Sequence, residues 1–81
     1  MVHTNVMTAD ELRQLLRASA FRPFTVYSED KGFHIPHPEF AALSPSGRTL
    51  IVFHRSDAAY DILDVALIAR AKVEEQASGS A

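Results

Sequence analysis

The chain contains no cysteine. Disulfide frameworks, thiolate zinc sites and thiol nucleophiles are excluded together, and the composition fits a reducing cytosol. Excess positive charge is also missing, since eight Lys and Arg stand against ten Asp and Glu for a net charge of -2. A dedicated phosphate-backbone binder carries the opposite sign, so broad nucleic-acid affinity is not the expectation. The longest apolar run, Val65 to Ala69, is five residues, far short of the ~20 that span a bilayer. Met1 to Met7 shows no basic start followed by an apolar stretch, so no secretory signal is read and a cytoplasmic location without membrane partners is expected. The three glycines are scattered singly, which leaves no phosphate-cradling loop.

What is present is the balance of a globular domain, with 47% hydrophobic and 22% charged residues in a chain of 81. A chain of this mass buries roughly 63% of the surface its unfolded form exposes, which permits folding alone but with little excess stability, and self-association would add to it. No linker divides the sequence. Residues 1–75 read as one domain, and 76–81, Q-A-S-G-S-A, as a disordered tail.

Local signals order the elements. Thr8 and Glu11 form the spacing of a capping box, with Met7 and Leu12 placed for a hydrophobic staple, so a helix starts here. Leu12, Leu15 and Leu16 share its apolar face, Arg13, Gln14 and Arg17 the other, and Pro23 predicts an end near Ala18 to Ala20. Alternation over Phe24 to Ser28 predicts a strand, Glu29 to Gly32 a turn with Gly32 at positive φ, and Phe33 to Ile35 the returning strand of a hairpin. Residues His37 to Leu43 read as one helical turn plugging an end of the sheet. Ser44-Pro45-Ser46-Gly47 matches a type I turn and leads into Thr49 to His54, whose bulky apolar side chains on both faces predict a strand covered on both sides. Arg55 to Ala58 turns the chain, and Tyr60, Ile62 and Leu63 form the next strand with Asp61 facing out. Asp64 to Glu75 fits either a capped helix or, by the alternation of Leu67, Ala69, Ala71 and Val73, a half-buried strand; a turn at Asp64 to Ala66 followed by that strand is the favoured reading. The expected fold is α+β, mainly β: an N-terminal helix and about five short antiparallel strands in a strongly bent sheet or small barrel.

The chemistry-bearing residues have structural explanations beside the functional ones. His34, His37, Glu39 and His54 carry the right donors for a divalent ion, but positions three apart on a strand face opposite ways, and surface histidines flanking a turn are the commoner arrangement. Ser44 and Ser46 lie in turn chemistry around Pro45, with no nucleophile elbow. The acidic residues sit mostly at caps and turns. No catalytic centre, metal or cofactor is implied. Arg13, Arg17 and Arg22, with an outward-facing Tyr27, form a candidate surface for single-stranded RNA or a protein partner, although arginines on the solvent face of an amphipathic helix also pair with Asp10 or Glu11 for about 0.3 to 0.5 kcal/mol.

Three blocks, F-R-P-F-T-V-Y at Phe21 to Tyr27, P-H-P-E-F-A-A-L-S-P-S-G-R-T at Pro36 to Thr49, and Y-D-I-L-D-V-A-L-I at Tyr60 to Ile68, resemble a family of short uncharacterised bacterial proteins over residues 8 to 74. The resemblance implies no activity, and it implies that Leu67 to Val73 is a strand. The order of one helix and about five strands, with a turn before the last, is similar to Sm-like and SH3-like small barrels. Sm-like proteins form rings and bind RNA, but their glycine and asparagine loop signature is absent here, so no RNA-contact residue transfers to a position of this chain. The function expected is a non-enzymatic module that self-associates or meets a protein partner, with an Sm-like ring on single-stranded RNA as the alternative and a small metal-dependent enzyme last.

Overall fold

The computed structural model describes residues 8–55 and 59–74. Met7 of the expected staple, residues 56–58 of the expected turn and the expected tail 76–81 lie outside them. Helix α1, Ala9–Arg17, begins as the capping box predicts, with the Glu11 amide donating to Thr8 Oγ1 at 3.1 Å and the Thr8 amide donating to Glu11 Oε1 at 2.9 Å. It ends at Arg17, just short of the expected span, because Ala18 is already extended. Thr8→Ala removes one half of this box, and a loss of about 1 kcal/mol in urea unfolding is expected; an unchanged midpoint would show that the cap contributes nothing.

Among the described residues six strands follow, in two antiparallel sheets rather than one closed barrel. Strand β1, Phe24–Ser28, runs between β2, Lys31–Ile35, and β6, Ile68–Val73. Strand β4, Thr49–Phe53, runs between β3, Ala41–Leu43, and β5, Tyr60–Asp64. The extra strand comes from the stretch read as a helical turn. A 3-10 turn occupies only Pro38–Phe40, and Ala41 to Leu43 then pair with Val52 to Leu50, which satisfies backbone groups that a single turn would leave open. The turn thus joins β2 of the first sheet to β3 of the second. No ladder closes the remaining edges among the described residues, so the expected small barrel is not formed.

The β1–β2 hairpin corrects the glycine assignment. Its two-residue loop is Glu29-Asp30, at φ 52° and 66°, and Gly32 lies within β2 opposite Tyr27. Paired positive φ values match the twist of the flanking strands, which is why a two-residue loop takes this shape. A Cβ at Gly32 would lie 3.1 Å from the Tyr27 ring and 3.2 Å from the Thr25 methyl, so these cross-strand neighbours would have to shift by a few tenths of an ångström to admit one.

The favoured reading of the closing segment holds: a 3-10 turn spans Val65–Leu67, capped by Asp64 accepting from the Ala66 amide at 3.0 Å, and β6 follows. Inward and outward residues change parity within it. Tyr27 pairs with Arg70 but Ser28 pairs with Ile68, so Ala69 is the extra residue of a bulge. Ala71 and Val73 therefore face inward by regular alternation, while Ile68 is fully buried on the same side. Leu67, expected on that inner row, is 54% exposed.

The core lies between the inner faces of the two sheets. Leu12 of α1 joins Phe24, Val26 and Ile35 from one sheet, Leu50, Val52 and Leu63 from the other, and Val65 and Ile68 from the closing segment. No buried side-chain nitrogen or oxygen among the described residues lacks a partner. None of the described helices is long and apolar enough to cross a membrane.

Candidate functional site

Strand β4 carries apolar residues on both faces, and only one of them is covered. Leu50 and Val52 point into the core, whereas Ile51 and Phe53 point away from it. The neighbouring strands continue this outer face through register, with Ala42 of β3 opposite Ile51, Ile62 of β5 opposite Ile51, and Tyr60 opposite Phe53. Exposure is high for such side chains: Ile62 64%, Tyr60 59% and Phe53 40%. The Phe53 and Tyr60 rings lie 6.3 Å apart in a tilted pair, so part of the face is pre-arranged. Together the three expose roughly 300 Å² of apolar surface, comparable to the largest patch of an ordinary small monomer, which is often functional.

Sequence reading placed Asp61 outward on β5. The strand is turned the other way: Asp61 and Leu63 take the inner parity, and Tyr60 and Ile62 the outer. The signal was ambiguous because Asp61 and Asp64 have opposite parity, so an acid faces inward in either orientation. His54 settles it, its Nε2 lying 2.6 Å from Asp61 Oδ2.

The histidines are distributed. His34 Nδ1 lies 3.2 Å from the Thr25 hydroxyl, and its Nε2 lies 3.8 Å from Glu74. The His37 ring packs at 6.1 Å from Phe40. Among the described residues no three His, Asp or Glu side chains gather into a group able to hold a metal ion.

The four residues of the candidate RNA or partner surface occupy different places. Arg13 pairs with Asp10 at 3.0 Å, and together with Arg17 it borders the groove between α1 and the Leu43-Ser44-Pro45 segment. Arg22 is exposed in the connection to β1. Tyr27 lies on the side of β1 opposite Phe24 and Val26, away from the helix that packs against the core. There it is half-buried under Arg70, whose guanidinium carbon stands 4.0 Å from the ring centroid. Lys72 follows on the same outer face opposite Thr25. Arg70 and Lys72 have the outward parity that the favoured strand reading gives them, but their pairing with Tyr27 and Thr25 has no signal in the sequence.

An open cleft of about 420 Å³ separates β2 from the ends of β4 and β5. Phe33, Pro36, Phe40, Val52 and Phe53 supply its apolar lining, and Lys31, Arg55 and the His54–Asp61 pair supply its charged groups.

No protein-family model, curated protein or solved structure matches the chain.

Proposed function

We propose that this chain is a non-enzymatic interaction module that self-associates through the outer face of β3, β4 and β5. The observation that carries the reading is the exposed row of Phe53, Tyr60 and Ile62 on a sheet whose other face is core. A second copy is the occupant that this face suits. Asp64 lies at one end of the β5 row, while Arg55 follows Phe53 past the opposite end of β4. A twofold axis lying between the stacked faces and perpendicular to the strands exchanges these ends, bringing each Asp64 toward the partner's cationic end with the apolar rows stacked between them. The apolar area is smaller than the ~800 Å² per partner of a standard interface, which favours association in the micromolar range.

Sedimentation velocity across roughly 1–100 μM protein tests this. The parent chain is expected to sediment faster with concentration. Ile62→Glu, at a site already exposed, is expected to remain folded by circular dichroism and monomeric throughout. A parent that stays monomeric, or a variant that associates equally well, would refute the reading.

The RNA reading rests on Tyr27, Arg70 and Lys72 sharing one outer face. Self-association is preferred because Arg70 already covers the Tyr27 ring, and a base would have to displace it. Retention of a short single-stranded RNA that falls steeply with salt would reverse this preference.

A further inference from the structure

We infer that the cleft between β2 and β4 is a binding site for a small amphipathic anion, a molecule with an apolar body and one carboxylate-like head. The inference does not rest on self-association: Phe53 and Arg55 border both the cleft and the proposed association face, and Ile62, which belongs to that face but does not line the cleft, separates the two in the test.

The shape follows from the failure of the sheets to close. Among the described residues no side chain fills the space between β2 and the ends of β4 and β5. Phe33 and Phe40, which pack on the edge of the core, are left only half-buried there. Val52 forms part of the floor. At about 420 Å³ the space falls within the roughly 300–1,000 Å³ of ordinary small-molecule sites. Filling it with an apolar chain or ring would remove these aromatic surfaces from water.

The head group is set by charge. Lys31 has the same inward parity on β2 as Phe33 and Ile35, which puts its exposed side chain at the mouth above Phe33. Arg55 approaches the mouth from the end of β4. Asp61 is the only carboxylate lining the cleft among the described residues, and it is already engaged by His54 at 2.6 Å. An incoming carboxylate therefore meets two cations with the local acid held by an imidazole, whereas an ammonium head meets two like charges.

Decanoate is the probe, measured against the full chain by isothermal titration calorimetry in dilute buffer. A dissociation constant on the order of 10–100 μM is expected for a ligand of this size. Decylammonium, of equal chain length and opposite charge, is expected to bind at least about tenfold more weakly. The double variant Lys31→Glu, Arg55→Glu, at two exposed positions, is expected to lose about tenfold or more for decanoate while keeping the parent's circular dichroism. Ile62→Glu is expected to bind decanoate like the parent, which separates this site from the association face. Absence of decanoate binding, equal binding of the two probes, or full affinity in the charge-reversed variant would each overturn the assignment.

Discussion

Replacing Phe24 by alanine is expected to leave the chain largely unfolded at room temperature. Phe24 is completely buried and belongs to the strand that holds the first sheet together, between Ile35 of β2 and Val73 of β6. Its ring also meets Phe21 at 5.9 Å. Truncating a buried phenylalanine costs about 3–5 kcal/mol, through lost burial and the cavity that remains. A domain of this length holds roughly 4–12 kcal/mol in total, and one with so small a core falls toward the low end of that range, where the loss takes most of it. Urea unfolding followed by circular dichroism measures the effect. A variant that retains a cooperative transition within about 1 kcal/mol of the parent would show that the two sheets do not share one core.

The second large effect is expected at Gly47. The Ser44–Gly47 turn closes with the Gly47 amide donating to the Ser44 carbonyl at 2.9 Å, and Ser44 Oγ accepts from the amides of Arg48 and Thr49. Gly47 sits at φ 79°, and a Cβ there would stand 2.6 Å from the Ala9 side chain. Backbone strain and collision with the first turn of α1 therefore act together. Gly47→Ala is expected to cost about 2–4 kcal/mol, of which about half is left-handed strain and the rest overpacking. The double variant Ala9→Gly, Gly47→Ala removes the collision and leaves the strain. Recovery of roughly half the loss, beyond the effect of Ala9→Gly alone, is the expected coupling in a four-member stability cycle. Strictly additive losses would mean that the helix yields freely at this contact.

Short-range signals made much of this fold legible. The Thr8 cap, the Ser44–Gly47 turn and the alternation of β1 rest on neighbours within a few residues, and each appears where the sequence places it. The errors lie where a distant partner decides. Ala41 to Leu43 become a strand because β4 offers a ladder, and helix-like spacing of Phe40 and Leu43 does not outweigh it. Glu29 and Asp30 take the positive φ because pairing of Ser28 with Lys31 fixes the loop at two residues. The apolar outer side of β4 was visible as a doubly hydrophobic strand, but the expectation of cover on both sides assumed that the chain alone supplies it. Ile62 and Tyr60 stand open on that side instead. The cleft had no sequence signal, since its lining comes from strands of two different sheets rather than from a motif.

The placement of the two tyrosines has an optical consequence. The chain has no tryptophan, so its intrinsic emission comes from Tyr27 and Tyr60. One lies under Arg70 on the outer face of the first sheet, the other on the exposed outer face of the second, and neither is in the core. Tyrosine fluorescence therefore reports on the two surfaces, while far-ultraviolet circular dichroism reports on the backbone. In a Tyr27→Phe background, every change in emission belongs to Tyr60, which turns the outer face of the second sheet into its own built-in probe.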